Sequence, residues 1–210
     1  MIFDLDGTLA DTLPDIQAAA NQLLAEHGCE PLGMDEVRRC VGNGAGALVE
    51  RILPAKGETL VAAKQRYLAL YAQFQTHSVS LYPGALEALA LFRENSLPMA
   101  VLTNKPQAAA DAVIDHLGIR RYFSHCTGGG AGLPLKPDPA GFIRIVEDWD
   151  VPRDAVLMVG DSDVDIKTAG NAGAHCAFFT DRYGREGADR ATFAISSFTE
   201  LVSILFPERQ

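Results

Sequence analysis

The sequence predicts an α/β fold, a Rossmann-like parallel sheet core with helices on both faces and an α-helical cap domain inserted after the first strand. Three observations carry that expectation. From Tyr82 onward, short apolar runs alternate with stretches of helical periodicity, the pattern of strands joined by crossover helices. Between Asp11 and about Ser80 only helical spacing occurs. The 210 residues suit one core carrying a modest insertion. The expected division is therefore a core of residues 1–11 and 80–210 and a cap of residues 12–79.

The elements follow in order. Met1-Ile2-Phe3 is apolar and stops at Asp4-Leu5-Asp6-Gly7-Thr8, a short strand ending in a tight turn. Only three residues precede the first acid, which makes this a short first strand. Leu13, Ile16, Ala20, Leu23, Leu24 and His27 keep helical spacing from Pro14 to about His27, and Gly28 is a natural stop. More helices are expected near 34–41, 45–53 and 58–75. The core then reads as helix 84–95, strand Met99–Leu102, helix 106–117, strand Tyr122–Cys126, helix 140–149, strand Ala155–Val159, helix 164–172, strand Ala174–Phe179 and a closing helix near 198–206. No internal repeat or low-complexity tract is visible.

Composition excludes several classes. With 18 basic against 27 acidic side chains, the net charge of -9 argues against nucleic-acid binding by bulk charge. Hydrophobic residues at 48% and charged ones at 21% are those of a packed globular chain. No uncharged apolar run approaches the roughly 18 residues of a membrane span, and Asp4 and Asp6 interrupt any signal-peptide reading. A soluble, cytoplasmic protein is expected, either monomer or homodimer. Cys29, Cys40, Cys126 and Cys176 lie far apart with no C-x-x-C pair, so reduced, buried thiols are expected rather than a disulfide framework or zinc site.

In a parallel sheet, ligands bind beyond the carboxyl ends of the strands. Those ends carry Asp4 and Asp6, then Thr103 and Asn104, then Asp161 and Asp165. A single acid at a strand end is commonly the N-cap of the next helix. Several together call for a joint explanation. Lys136, held between the prolines of Leu135-Lys136-Pro137-Asp138-Pro139, reads alone as a solvated lysine. With converging carboxylates it fits a phosphoryl site, where an anionic nucleophile meeting an anionic phosphate needs opposing charge. Carboxylate and carbonyl oxygens select a hard divalent cation, and phosphate chemistry favours Mg2+.

Other motifs fail on context. Gly42-Asn43-Gly44-Ala45-Gly46-Ala47 matches G-x-G-x-x-A, but the charged, helical Asp35–Val41 precedes it where a strand is needed. Gly128-Gly129-Gly130-Ala131-Gly132 lacks the closing G-K-[ST] of a P-loop and reads as a flexible connection. Gly160-Asp161-Ser162 has Val164 where a nucleophile elbow needs its second glycine.

Asp4-Leu5-Asp6-Gly7-Thr8-Leu9, Thr103-Asn104-Lys105-Pro106, Lys136-Pro137-Asp138-Pro139 and Gly160-Asp161-Ser162 with Asp165 together resemble the four motifs of the haloacid dehalogenase superfamily. The resemblance spans essentially the whole chain. Val41-Gly42-Asn43-Gly44-Ala45, Tyr82-Pro83-Gly84 and Thr103-Asn104-Lys105-Pro106 narrow it to the bacterial phosphoglycolate phosphatase family. What the resemblance implies is a Mg2+-dependent phosphate monoester hydrolase working through an aspartyl-phosphate on a small phosphorylated metabolite, most simply 2-phosphoglycolate. Asp4 would be the nucleophile, and Asp6 the acid and then the base. The carboxylates of Asp4 and Asp161 and the main-chain carbonyl of Asp6 would bind the metal. Thr103, Asn104 and Lys136 would hold phosphoryl oxygens, and Asp165 would orient Lys136 or a metal-bound water.

Thr103 reads equally as a helix N-cap, and Lys105 as a second phosphate contact or a solvated lysine. In the cap, Arg38, Arg39, Arg51 and Asn43 are candidates for the substrate's far end. Asn43 and Gly44 rank first, because a glycine-rich loop lets backbone approach a ligand closely. Two rivals use the same residues. A phosphomutase such as a beta-phosphoglucomutase would return the phosphoryl group to its substrate, and a receiver-like phospho-acceptor switch would keep it without turnover. A dehalogenase would not need Asp6, and a receiver would not need a cap.

Overall fold

A computed structural model describes residues 1–54, 57–184 and 187–207. Its core is a six-stranded parallel sheet of β1 (Ile2–Phe3), β4 (Ala100–Pro106), β5 (His125–Gly129), β6 (Leu157–Gly160), β7 (His175–Phe179) and β8 (Phe193–Ile195). Their order is β5-β4-β1-β6-β7-β8. The two-residue β1 lies centrally, with Ile2 beside both Ala100 and Met158. Alternate strand residues point to opposite faces, and neighbouring pairs in the sequence therefore feed different cores. Phe3, Val101, Val159 and Phe179 pack with Leu89 and Phe92 of α5 (Ala85–Glu94), Val113 and Ile114 of α6 (Gln107–His116), and Leu201 of α9 (Phe198–Leu205). Ile2, Leu102, Met158 and Phe178 pack with Phe142 and Ile145 of α7 (Ala140–Trp149) and Ile166 of α8 (Asp163–Ala172). Burial on both faces is why these strands read as continuous apolar runs. The fully buried Phe3, Phe92 and Phe142 each contribute about 2–3 kcal/mol of transfer free energy.

Between β1 and α5 the chain forms α1 (Leu13–Glu26), α2 (Met34–Arg38), α3 (Gly44–Ile52) and α4 (Glu58–Phe74). Pro14 stands in the first turn of α1, where its missing N–H is not needed. Leu23, Leu24, Leu48, Val49, Tyr67, Leu70 and Tyr71 pack into a third apolar cluster, separate from the two sheet cores. A two-stranded antiparallel ribbon, β2 (Ala10–Asp11) with β3 (Ser80–Leu81), ties the entry and exit of this segment together.

The structure corrects several expectations. The strand expected at Tyr122–Cys126 is present but begins three residues later, as β5, with a short 3-10 turn at Arg120–Tyr122 before it. The glycine run is not simply a flexible connection, since Gly128 and Gly129 belong to β5. A Cβ on Gly128 would stand 2.7 Å from Gln107 Cα and 2.9 Å from the Lys105 carbonyl, so glycine is what lets this strand close on β4. Strand β4 continues past Leu102 through Pro106, whereas a helix was expected from 106. The helix expected over 34–41 ends at Arg38. Only Cys176 of the four cysteines is buried, and the other three are half-buried. Among the described residues no helix is long and apolar enough to cross a membrane.

Candidate active site

Strand β1 delivers Asp4 to the carboxyl edge of the sheet, and β6, through Gly160, delivers Asp161 beside it. Asp165 stands in the first turn of α8. One carboxylate oxygen from each of Asp4, Asp161 and Asp165 lies within 4.8 Å of the others. Lys136 is buried among them, its Nζ 2.6 Å from Asp165 Oδ1 and 3.0 Å from Asp4 Oδ1. The acids at the start of the chain and those some 155 residues later do meet.

Each group is held separately. Asp4 Oδ1 also accepts from the Leu5 amide at 2.8 Å, and among the described residues its Oδ2 has no protein donor. Asp161 accepts from the Thr8 hydroxyl at 3.1 Å and from the Tyr183 amide at 3.0 Å. Asp165 Oδ2 accepts from the Ser162 amide at 3.1 Å and its hydroxyl at 2.6 Å. That leaves Asp165 fully committed to protein donors, so it fixes Lys136 and the helix start rather than offering a free ligand atom. Gly7, at φ +81°, lets the turn after β1 pass so close that a Cβ there would lie 2.3 Å from Asp161 Oδ2.

Burial pushes the Asp4 carboxyl up to about 6, against the opposing pull of Lys136. Burial, then Asp4 and Asp165, hold Asp161 well above the ordinary carboxylate range. Burial works against the Lys136 ammonium, but Asp165 and then Asp4 outweigh it and raise its pKa. Three carboxylates against one ammonium leave two negative charges. Asp4 and Asp161, with oxygens facing one another and only neutral donors besides Lys136, fit a hard divalent cation.

Strand β4 brings Thr103 and Asn104, both buried, to the same edge. The Thr103 hydroxyl accepts from the Lys105 amide at 3.2 Å. Asn104 is a clamp: its Oδ1 accepts from the Lys136 amide at 2.8 Å, while its Nδ2 donates to the Lys136 carbonyl at 2.9 Å and the Gly42 carbonyl at 3.1 Å. It locks the lysine loop and touches the helical segment at once.

Asp6 points elsewhere. Its Oδ1 accepts from the Thr12 hydroxyl at 2.7 Å and the Lys105 ammonium at 2.8 Å, outside the converging acids. Lys105 is buried, not solvated, and also donates to the Tyr71 hydroxyl of α4 at 2.6 Å. Burial opposes its charge, but Asp6 and Tyr71 raise its pKa. A cavity of about 180 Å³ lies between the sheet edge and the helical segment, lined by Asp4, Asp6, Lys105, Tyr71, Arg38 and Arg39 among others. Gly42 and Gly44 line it too, but Asn43 does not. The Asn43 Oδ1 instead accepts from Arg51 at 2.7 Å on the exposed surface. The residue ranked first in the cap is thus occupied by Arg51, itself a candidate for the substrate's far end.

Two contributors were not assigned a role from the sequence, although Thr8 stands in the first motif. Tyr183, in the loop after β7, gives its amide to Asp161 and its hydroxyl to the start of α1, where it accepts from the Thr12 and Leu13 amides at 2.9 and 2.8 Å. Thr8 is fully buried and supports Asp161 from β1's own turn.

Acids and a lysine gathered at the carboxyl edge of a parallel sheet, beneath an inserted helical segment, make a site built for an anion and a cation together. The chain belongs to the haloacid dehalogenase-like hydrolase family, whose family model matches residues 1–179. It is 39% identical over 188 residues to a phosphoglycolate phosphatase of Cereibacter sphaeroides, covering 87% of this chain and 85% of that protein. It is 35% identical over 213 residues to phosphoglycolate phosphatase 1 of Pseudomonas aeruginosa, covering 96% and 78%. The crystal structure of a predicted phosphoglycolate phosphatase from Haemophilus somnus superposes with a TM-score of 0.91 at 27% identity, over 97% of this chain and 96% of that one.

Proposed function

We propose that this protein is a Mg2+-dependent phosphate monoester hydrolase acting through an aspartyl-phosphate, with 2-phosphoglycolate as substrate. The observation that carries the reading is the convergence of Asp4 and Asp161 on one point with Lys136 against Asp4. The names of the relatives supply the substrate. Residues 12–79 act as a cap over a core of residues 1–11 and 80–210, with the cavity between them as the substrate chamber. Water exclusion by such a cap strengthens every charge interaction inside it. The half-buried and buried free thiols accord with a cytoplasmic protein, monomer or homodimer.

The roles follow from position. Asp4, Asp161 and the main-chain carbonyl of Asp6 hold the Mg2+, which when bound screens the charge of the phosphoryl oxygens. Asp4 Oδ2, the oxygen without a protein donor, attacks phosphorus, and the P–O bond to the leaving group breaks. Asp6 gives the leaving alkoxide a proton and then takes one from the water that attacks the aspartyl-phosphate, returning Asp4 as carboxylate and releasing phosphate. Thr103 and the main-chain amide of Asn104 bind phosphoryl oxygens at the end of β4, and Lys136 balances the charge gathering at Asp4. Asp165 keeps Lys136 in place. Gly42 and Gly44, rather than the Asn43 side chain, bring cap backbone to the substrate.

The test is phosphate release from a panel of monoesters, phosphoglycolate and sugar phosphates included, with and without Mg2+. Asp4→Asn should lose turnover by at least about 10³-fold while keeping its circular dichroism spectrum. Full activity in that variant would falsify the nucleophile assignment.

A further inference from the structure

Lys105 is a buried cation that the chemistry above does not use. Its ammonium has three donors and, among the described residues, two acceptors, Asp6 Oδ1 and Tyr71 Oη. It lines the cavity, so one N–H remains for a ligand there. Arg38 and Arg39 also line it, but they belong to the outer helical segment, and Arg38 is paired with Asp35.

We infer that Lys105 is the substrate-specificity residue, its ammonium binding a carboxylate one carbon beyond the ester oxygen of a short 2-phosphorylated acid. The inference rests on the proposed phosphatase reading and deepens it. A general acid must come within about 2.6–3.2 Å of the oxygen it protonates. Asp6 Oδ1 is taken by the Thr12 hydroxyl and by Lys105 Nζ at 2.8 Å, which leaves Oδ2 to meet the ester oxygen and puts the ammonium within about 8 Å of it. Three bonds of about 1.2–1.5 Å place a glycolate carboxylate oxygen about 3–3.5 Å from that ester oxygen. That reach is enough for the carboxylate to come within the roughly 2.7–2.9 Å of a charge-assisted hydrogen bond to Nζ. Tyr71 reinforces the arrangement, since its hydroxyl and its ring, 4.5 Å from Nζ, hold the ammonium against the cavity wall.

The test compares 2-phosphoglycolate with its neutral isostere, carbamoylmethyl phosphate, in the wild type, Lys105→Met and Lys105→Gln, with Mg2+ throughout. The wild type should prefer the acid in kcat/KM by at least about 30-fold, the effect of removing one partner from a buried ion pair. In both variants that ratio should fall to within about threefold of unity, because the amide never used the charge. Lys105→Gln keeps a donor for Asp6, so the ratio stays readable if Lys105→Met fails to fold. An equal loss on both esters in the variants would overturn the inference and leave Lys105 as a positioning residue for Asp6. So would a wild type that takes the amide as readily as the acid, or that hydrolyses other monoesters and neither of these; both results spare the phosphatase reading. Silence of the wild type on every monoester overturns that reading, and this inference with it.

Discussion

Replacing Tyr183 by Phe removes one oxygen that joins the loop after β7 to the first turn of α1. That oxygen accepts from the Thr12 amide at 2.9 Å and the Leu13 amide at 2.8 Å, and donates to Asp11 Oδ1 at 2.8 Å. The Leu13 amide keeps a second partner in Asp11 Oδ1 at 3.2 Å. The Thr12 amide keeps none among the described residues, and a helix start has no intrahelical acceptor to offer it. Thr12 is fully buried, so the orphaned N–H costs about 1–3 kcal/mol. The lost hydrogen bond to a carboxylate is worth about 1.5–3 kcal/mol, partly offset because the ring no longer carries a hydroxyl to desolvate. The expected net loss is near 3 kcal/mol, equivalent for a chain of this size to a drop of about 6–12 °C in Tm. Urea unfolding and a thermal melt of the metal-free protein read it directly. The Tyr183 amide still reaches Asp161 in this variant, so folded protein should retain its metal affinity. A stability change below about 0.5 kcal/mol, the size of an ordinary surface substitution, would show that the hydroxyl does not tie the two segments together.

Two further outcomes are expected. Mg2+ bound as proposed must compete with protons at Asp4, whose carboxyl burial has raised to about 6, and at Asp161, also held above the ordinary carboxylate range; the ionised forms bind metal, so apparent affinity should rise with pH and fall by about tenfold or more per unit below about 6, and calorimetry giving a flat profile between pH 5 and 8 would contradict this. Gly7→Ala puts a Cβ 2.3 Å from Asp161 Oδ2 at a φ of +81°, so kcat should drop by about 100-fold and stability by about 1–3 kcal/mol; an unchanged kcat would mean that Asp161 tolerates displacement.

The residues that meet at the sheet edge were legible because each follows an apolar run directly, and a parallel sheet collects the ends of its strands. Nothing comparable announces Lys105. It lies beyond Leu102, where apolar patterning stops and Pro106 suggests a helix, yet β4 runs on to Pro106 and carries the ammonium inward to Asp6 and Tyr71. Its burial depends on a partner 34 positions away on α4, which local periodicity cannot reveal. Tyr183 is hidden for the same reason, its hydroxyl serving residues more than 160 positions earlier. The ribbon of β2 and β3 has two residues a strand, too few to show a period of two. Strand β8 has three, and two of them are exposed, so it lacks the apolar run that marked its neighbours. Asn43 errs in the opposite sense: the glycines beside it do line the cavity, but Arg51, eight residues on, takes its side chain.

The charges at the site fall into two groups with different balances, and the difference bears on how the proposed reaction is assembled. Asp6 and Lys105 form one group, in contact at 2.8 Å and apart from the other acids. Asp4, Asp161, Asp165 and Lys136 form the other, with two negative charges in excess. Buried charge without a partner costs several kcal/mol per ion, and the raised pKa values of Asp4 and Asp161 are where that cost shows. An ester dianion arriving at this second group alone would meet like charge in a poorly screened cleft. Asp4 and Asp161 would hold a dication that offsets this excess, and the carboxylates that otherwise repel the substrate would then frame it. Lys105 stands apart from that excess, its ammonium held by Asp6 Oδ1 and the Tyr71 hydroxyl rather than by the converging acids. A carboxylate at the substrate's other end would meet a cation there and draw on the one N–H of Lys105 that Asp6 and Tyr71 leave open. Separating the two groups lets the cation govern the phosphoryl end while the shape and charge of the leaving group are judged independently.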